Sequence, residues 1–350
     1  MKHNIWGMEL QEIEKWVMEN KFPKYRAKQL RDYLYKRFIF SFDHMTQLPL
    51  DMRTWLNENA YINKPEIIGN IQSDDENTTK LLLKLQDGSL VETVCMHHSY
   101  GNSICVSTQV GCAMGCIFCA SGLKGLERNL TAGEILSQIY AFKETYDIPV
   151  HSLVLMGAGE PLTNYAEVLK FLKLVNNKEL LNMSYRNITL STCGIIPQIY
   201  KLANENIPIT LAISLHAPND EIRNQLLPVS KGYKITDLIK AACYYFEKTK
   251  RRVTFEYILI KGINSAPENA EELCRLVGKL PCHFNLIPVN GTEHIQLYPP
   301  EIKTIKKFQD ILLKHGKEVT VRRQMGDEIQ AACGQLKRRY LYSTYIAKSD

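Results

Sequence analysis

The sequence lacks any apolar run close to the roughly 18 residues that a membrane-spanning helix requires. Its first residues carry no apolar stretch of the kind found in secretory signals, and acidic residues follow early. Low-complexity tracts and long flexible linkers are missing too, and a hydrophobic content of 45% excludes wholesale disorder. We therefore expect a folded cytoplasmic protein with no membrane partner, monomeric by default.

An excess of one charge sign is also nearly absent, since 43 Lys and Arg face 37 Asp and Glu. The formal charge of +6 only weakly favours anionic partners. What the sequence has in quantity is cysteine, with ten residues. In a protein that is not exported, thiols stay reduced, so clustered cysteines indicate metal or redox chemistry more than structural disulfides.

The first hundred residues predict helices followed by a β-hairpin. Apolar residues at helical spacing predict helices over 8–20, 24–38 and 51–58. Further on, Asp87-Gly88 is typical of a hairpin turn and separates two strand-like segments at 80–85 and 90–94. We expect a small helical accessory domain over residues 1–70 and a β-hairpin connection over 71–97.

From residue 103 onward, six strand-then-helix units follow one another, with a final strand at 319–322. The predicted strands of these units are 104–108, 152–156, 187–191, 208–214, 252–260 and 283–289. This alternation predicts an α/β core of parallel strands with helical crossovers, over residues 98–330. Periodicity alone leaves open whether the core is a partial barrel or a doubly wound sheet. Residues 331–350 are treated as a separate C-terminal segment.

Polar and glycine-rich segments follow five of the six predicted strands. These segments contain Cys112, Gly157-Ala158-Gly159-Glu160, Ser191, Ser214-Leu215-His216 and Asn290. In parallel α/β folds the residues that perform chemistry collect at the carboxyl ends of the strands. The sequence therefore predicts one functional rim.

Three cysteines stand within eight residues in Cys112-Ala-Met-Gly-Cys116-Ile-Phe-Cys119. Three thiolates can hold three corners of a [4Fe–4S] cluster and leave one iron open. A structural zinc site with a fourth ligand such as His98 is the alternative. The spacing resembles the signature of radical S-adenosylmethionine (SAM) enzymes, and this resemblance implies a partial (β/α)6 barrel. It also implies that SAM binds the open iron and is cleaved to methionine and a 5′-deoxyadenosyl radical.

Other rim residues resemble the SAM-binding positions of the same superfamily. Gly159 and Glu160 match the motif that holds the SAM amino group, although a G-x-G alone is an ordinary tight turn. The resemblance implies further SAM contacts at Ser191, Ser214, Leu215, His216 and Asn290. Taken singly, each of these residues is equally well explained as a capping or turn residue.

Two more cysteines and one glutamate carry a closer resemblance, to the RlmN/Cfr family of RNA adenine methyltransferases. Cys333 stands among small residues, Cys105 precedes the cluster loop by seven residues, and Glu92 lies in a predicted strand. The match runs from about Glu92 to Leu336. It implies that Cys333 carries an S-methylcysteine intermediate, Cys105 resolves it through a transient disulfide with Cys333, and Glu92 accepts a proton. Without this resemblance, we would interpret Cys105 as a small buried hydrophobic residue and Glu92 as an exposed strand residue.

The resemblance also implies the substrates and partners. These are 23S rRNA (peptidyl-transferase centre) and tRNA (anticodon loop), methylated at adenine C2, with two SAM molecules per turnover and an electron donor such as flavodoxin or ferredoxin. The Gly-Glu-Pro-Leu run at 159–162 is nearer to the C2 group than to the C8 group. Methylation at C8 and a zinc-stabilised, non-catalytic RNA-binding protein are the alternatives.

Basic and aromatic residues between positions 21 and 37 predict an RNA-binding face, because cations neutralise phosphates and aromatic rings stack on bases. The residues are Lys21, Lys24, Arg26, Lys28, Arg31, Lys36 and Arg37, with Tyr25, Tyr33 and Tyr35 among them. Five cysteines receive no role and are interpreted as reduced core residues or as residues without a part in the chemistry: Cys95, Cys193, Cys243, Cys274 and Cys282.

Overall fold

The computed structural model of the protein describes residues 2–74, 76–290 and 296–322. Its N-terminal part contains three helices: α1 (Leu10–Glu19), α2 (Tyr25–Tyr35) and α3 (Leu50–Asn59). These are the three helices that the sequence predicts. A short parallel pair, β1 (His3–Asn4) with β2 (Ala60–Tyr61), joins the two ends of this region.

The N-terminal region is fastened to the rest of the protein through Trp6. Its indole Nε1 donates hydrogen bonds to Gly133 O and Ser137 Oγ, both at 2.7 Å, on helix α4 (Ala132–Tyr146). Next to it, Gly7 has φ +88°, and a Cβ there would lie 2.4 Å from Gly133 N. Only glycine permits both this backbone conformation and this approach, so the two parts are packed backbone to backbone.

In the part of the chain that the structure describes, the other strands and α-helices number twelve and six, apart from short 3-10 turns. The strands are β3 (Glu66–Gln72), β4 (Thr78–Lys84), β5 (Leu90–His98), β6 (Gly101–Cys105), β7 (Gln109–Gly111), β8 (Leu126–Asn129), β9 (Ser152–Leu155), β10 (Ile188–Thr192), β11 (Thr210–Ser214), β12 (Val253–Leu259), β13 (Cys282–Pro288) and β14 (Glu318–Val321). The helices are α5 (Tyr165–Asn176), α6 (Ile196–Ala203), α7 (Asp220–Leu226), α8 (Ile235–Thr249), α9 (Pro267–Val277) and α10 (Ile302–Lys314). No helix in the described ranges is long and apolar enough to cross a membrane.

Ten of the strands form one sheet in the order β14-β13-β12-β11-β10-β9-β6-β5-β4-β3. From β6 through β14 the neighbours are parallel, which confirms the predicted strand-then-helix repeat. The chain crosses this half in one direction and shows no reversal of strand order, whereas a doubly wound sheet has such a reversal. The predicted hairpin is part of a four-stranded antiparallel extension, β3 to β6, of the same sheet.

The sheet has an apolar outer face and a more polar inner face, because successive side chains alternate between faces. Leu190, Ile213 and Phe255 are fully buried against the helices. Their neighbours along the strands, such as Ser214 and Glu256, point to the opposite face and stand side by side in register.

Arg322, just after β14, shows that the sheet curves around its inner face. Its charge lowers the pKa of both Glu256 on β12 and Cys105 on β6, so it lies near both side chains. In the sheet, however, five strands separate β14 from β6. The flanks of the parallel half therefore approach each other, as in a partial barrel.

Candidate active site

The three-cysteine loop leaves the sheet after β6 and is closed at its base by the β7–β8 ribbon. Cys112 N donates to Gly125 O at 2.9 Å, and Cys119 N donates to Cys116 O at 3.1 Å. A Cβ at Gly111, where φ is +77°, would lie only 2.1 Å from Gly125 O. Glycine at this position lets the ribbon close tightly enough to fold the loop back on itself.

The three thiols are crowded into one partly buried place. Burial, followed by the neighbouring Cys119 and Cys112 thiols, raises the pKa of Cys116 to about 12, and burial also raises the pKa of Cys112. Within residues 2–74, 76–290 and 296–322, no three His, Cys, Asp or Glu side chains converge on one point as a single metal ion requires. The donor set itself fits a [4Fe–4S] cluster, because three thiolates within eight residues can each bind a different iron.

Packing against the ends of the parallel strands holds the loop in place. The Phe118 ring meets the His216 ring edge to face, with centroids 4.8 Å apart. Ile117 N donates to Leu226 O at 3.1 Å, at the end of α7. Cys116 itself packs on the apolar cluster that contains Cys193. The thiols are thus fixed relative to the rim of the sheet.

Glu160 is buried and fixed beside the cluster loop. Its Oε2 accepts a hydrogen bond from Cys193 N at 2.7 Å, and its Oε1 accepts one from Leu162 N at 3.0 Å. Burial raises the pKa of Glu160, and these N–H donors oppose that shift. Gly159 has φ +109°, and a Cβ there would lie 2.6 Å from Gln109 Cβ. Only glycine at position 159 lets the turn before Glu160 pack this closely on the Gln109 side chain.

The ends of β10 and β11 place Ser191 and Ser214 half-buried on the inner face. His216 follows in a left-handed conformation with φ 59°, and its Nδ1 accepts a hydrogen bond from Ile258 N at 3.0 Å. Burial, and then the nearby Arg223 charge, lowers the pKa of His216 to about 3. The imidazole is therefore neutral at physiological pH, and its proton lies on Nε2.

Leu215 and Asn290, which are also expected to contact SAM, differ from the two serines in how far they are exposed. The Leu215 side chain is fully buried in the core, and its N–H already donates to Glu256 O at 3.0 Å. Asn290 follows β13 and is exposed.

Arg223 is a site residue that the sequence interpretation missed. It is completely buried, and its guanidinium donates to the carbonyls of Cys193 at 2.6 Å, Leu215 at 3.3 Å and Ser214 at 3.4 Å. These bonds tie the carboxyl end of β11 to the turn after β10. An arginine in an amphipathic helix is normally assigned to solvent, so its local sequence carries no signal of this role.

Glu92 and Cys105 lie on neighbouring strands of the antiparallel extension. Val94 pairs with Cys105 in register, and Glu92 lies two residues before Val94 on the same face. The interpretation of Glu92 as an exposed strand residue is wrong, since it is 7% exposed and forms an ion pair with Lys80 at 3.0 Å. Burial raises the pKa of Cys105 to about 11, while the charges of Arg322 and Lys80 oppose the shift.

Ser107 links the two parts of the site and α4. Its Oγ donates to Glu92 O at 2.8 Å and accepts from Ala158 N at 3.0 Å. Its backbone N donates to Gln138 Oε1 on α4 at 2.7 Å. A Cβ on Gly157 would lie 2.7 Å from Ser107 N, so glycine is required for this close approach.

The predicted RNA-binding face needs correction. Tyr33, Tyr35 and Arg31 are buried, so none of them is available to RNA. Five basic residues of the face are exposed: Lys21, Lys24, Lys28, Lys36 and Arg37. Tyr25 is 57% exposed, with the Arg26 guanidinium 4.6 Å from its ring centroid. The face is therefore mainly cationic, with one exposed aromatic ring.

Cys333, the predicted methyl carrier, and the predicted C-terminal segment 331–350 lie outside the described ranges. The nine cysteines within the ranges are free thiols. Cys193 is more than a core residue, because its backbone N–H binds Glu160 and its carbonyl binds Arg223.

Comparison with known proteins agrees with this geometry. The model of the radical SAM superfamily matches residues 106–277, and the model of the ribosomal RNA large subunit methyltransferase N-terminal domain matches residues 3–62. A probable dual-specificity RNA methyltransferase RlmN from Clostridium novyi is 46% identical over 338 residues, which cover 97% of this chain and 98% of the relative. One of the same description from Clostridium tetani is 47% identical over 338 residues and 97% of both chains.

A solved structure extends the likeness to three dimensions. The crystal structure of a radical SAM methyltransferase from Sphaerobacter thermophilus matches with a TM-score of 0.91 and 40% identity, covering 95% of this chain and 98% of that chain. The protein is thus a SAM-dependent methyltransferase of the radical SAM superfamily, a class that implies a [4Fe–4S] cluster and SAM. Within that class, the chain belongs to the RlmN family of dual-specificity RNA methyltransferases.

Proposed function

We propose that the protein methylates C2 of adenine in 23S rRNA and in tRNA, using two SAM molecules per turnover. The observation that carries this proposal is that Glu92 and Cys105 share one patch of the inner face, on the strands that lead into the cluster loop. A proton acceptor and a thiol at the same place serve a reaction in which adenine C2 loses a proton and the transferred carbon is released from sulfur.

Cys112, Cys116 and Cys119 would hold the cluster, and Glu160, Ser191, Ser214, His216 and Asn290 would surround SAM. When bound, the cluster and SAM supply the one-electron chemistry that activates a methyl group on Cys333. Neutral His216 and the buried Glu160 offer a hydrogen-bond donor and an acceptor for the polar groups of SAM. The proposal assigns residues 1–70 to RNA binding, with the basic face as the contact for phosphates.

The residues of the chain act on the RNA in two steps. Once the activated carbon on Cys333 is bonded to adenine C2, Glu92 takes the proton from C2, and the electron pair of that C–H bond stays in the ring. The one surplus electron left by radical addition would pass to the bound cluster. The Cys105 thiolate then attacks the sulfur of Cys333. The bond between that sulfur and the transferred carbon breaks, its electron pair goes to the carbon, and proton uptake completes the methyl group. A disulfide between the two cysteines remains, and a thiol reductant reopens it.

Incubation with labelled SAM, purified 23S rRNA and purified tRNA, followed by nucleoside analysis, tests the proposal. We expect label in 2-methyladenosine from both RNAs. Label in 8-methyladenosine instead would assign the alternative position. A colourless protein with stoichiometric zinc after competent cluster reconstitution would refute the cluster assignment.

The role of Cys333 has its own test. Cys333→Ala should abolish turnover while a brown, cluster-containing protein still forms, because the methyl carrier is lost and the cluster ligands remain. Appreciable methylation by this variant would contradict the assignment.

A further inference from the structure

A buried ion pair lies beside the proposed proton acceptor. Lys80 is 0% exposed and its Nζ lies 3.0 Å from Glu92 Oε2, while the Glu92 side chain is 7% exposed. Moving an ammonium and a carboxylate out of water carries a large desolvation penalty, and well-packed apolar residues often replace such a pair without loss of stability. A pair of this kind is therefore a weak source of stability, and its charges are better explained by their effect on neighbouring groups.

The pair stands next to Cys105 on three adjacent antiparallel strands. Lys80 on β4 is in register with Val94 on β5, and Val94 is in register with Cys105 on β6. Since Glu92 precedes Val94 by two residues, all three functional groups share the inner face. Among the described residues, Arg322, which follows β14, also lowers the pKa of Cys105, and its charge has a larger effect than Lys80 or Glu92.

The two charges of the pair act on Cys105 in opposite directions. Lys80 lowers the pKa of the Cys105 thiol, and Glu92 raises it. Burial is the main reason that the thiol stays protonated; an ionised Glu92 adds to this effect, while Arg322 and, less strongly, Lys80 oppose it. Once Glu92 is neutral, the effect of Lys80 remains and favours the thiolate.

We propose that Lys80 is a positioning residue that holds Glu92 as an oriented carboxylate and couples its protonation to the activation of Cys105. The inference rests on the proposed function, which supplies the roles of Glu92 and Cys105. The adenine C2–H bond breaks, an O–H bond forms on Glu92, and the electron pair stays in the ring. The Cys105 proton then leaves to solvent, and its thiolate forms an S–S bond with Cys333. The bond from that sulfur to the transferred carbon breaks, and its electron pair goes to the carbon, which takes up a proton. Lys80 forms no covalent bond.

This arrangement orders the two steps. If Cys105 attacked sulfur before C2 had lost its proton, the adenine ring would be released without its aromatic system restored. Because a neutral Glu92 no longer raises the pKa of the Cys105 thiol, attack on sulfur is easier after Glu92 has taken the proton, which favours release after restoration of the ring.

The first test is single-turnover methylation by Lys80→Met, Lys80→Arg and the matched control Lys84→Met. Lys84 lies on the same strand and pairs with Glu66 at 3.4 Å, but that pair is exposed. We expect Lys80→Met to slow product release at least about tenfold and to accumulate covalently RNA-linked protein. Lys80→Arg should restore most of the rate because it keeps the charge, and Lys84→Met should match the unsubstituted protein.

The second test needs no RNA. Alkylation of Cys105 by a small labelled reagent is followed by mass spectrometry across pH, in the unsubstituted protein, in Lys80→Met and in Glu92→Gln. We expect Lys80→Met to slow the reaction and Glu92→Gln to accelerate it. Local loosening of the structure would accelerate it in both variants, so opposite directions identify the effect of charge.

The outcomes separate this inference from the proposed function. Failure of the unsubstituted protein to methylate RNA refutes the proposed function, and with it the step that Lys80 is said to couple. Normal methylation together with unchanged, or equally accelerated, alkylation in both variants refutes the role of Lys80 alone.

Discussion

The two faces of the ten-stranded sheet are made by the same strands and yet differ in almost every property. The outer face is formed by residues such as Leu190 and Phe255, which are fully buried against the helices. On the inner face Ser191 is half-buried, and Glu92, Lys80 and Glu256 are buried and ionisable. Because side chains alternate along a strand, a position and its neighbour serve different purposes. The outer face stabilises the fold, and the inner face accepts unfavourable burial of polar groups to place them beside one another.

The largest contrast between the faces is expected when a cluster ligand is removed. Cys116→Ala should abolish iron binding and methylation, because only two thiolates of the loop would remain. The fold should persist, since the outer face is untouched. Iron analysis, visible absorption and far-UV circular dichroism measure the three properties. Retention of a stoichiometric [4Fe–4S] cluster would contradict the assignment of this thiol.

The converse change lies on the outer face. Phe255 is fully buried, with its ring centroid 5.6 Å from that of Phe284. Phe255→Ala should lower the free energy of unfolding by about 3–5 kcal/mol, through lost transfer free energy and a residual cavity. Denaturant unfolding measures this loss. Cluster content per folded molecule should stay unchanged, and a selective loss of cluster without loss of stability would break the comparison.

A substitution at Gly157 tests the close approach of its backbone to Ser107 at the rim of the sheet. A Cβ there would lie 2.7 Å from Ser107 N, so Gly157→Ala must displace backbone and should cost up to about 3 kcal/mol. The apparent KM for SAM should rise more than kcat falls. Gly232→Ala is the control, because nothing lies within 4 Å of a Cβ at that position. Equal effects from the two substitutions would argue against the contact.

The smallest effect concerns Glu256 on the inner face. Burial raises its pKa to about 6 from the ordinary value of 4.5, with the Asn285 side-chain hydrogen bond opposing the shift. An acid with a raised folded-state pKa destabilises the fold as pH rises through that window. Glu256→Gln should therefore stabilise the protein by up to about 2 kcal/mol above pH 6, and much less below pH 4.5. Thermal melts across pH would show this, and a pH-independent difference would contradict the assignment.

Much of the fold was accessible from the sequence because it repeats. Six apolar strands, each followed by an amphipathic helix, predict a parallel α/β core, and the structure confirms it together with the three N-terminal helices. The short pairs β1–β2 and β7–β8 were missed, since two to four residues show no periodicity. The antiparallel extension was only partly recognised, because strand partners beyond a hairpin depend on contacts distant in the chain.

The site was predictable where local spacing carries the chemistry, as in the three-cysteine loop and the segments that follow the strands. It was not predictable where chemistry arises from long-range pairing. The Lys80–Glu92 ion pair joins residues twelve positions apart on two strands, and Arg223 is bound by carbonyls from two other elements. The buried tyrosines of α2 show the same limit, since the sequence pattern alone did not reveal which side of that helix is covered.

Helix α4 contacts both the N-terminal region and the active site. Gly133 and Ser137 hold Trp6 of the N-terminal region, while Gln138 on the next position binds the backbone of Ser107 at the active site. If RNA is held on the N-terminal helices as proposed, these contacts fix the distance between the bound RNA and the reacting carbon. An adenine would then be selected by how far it projects from its RNA fold, and RNAs of unrelated sequence would be accepted when their loops present the base at that distance.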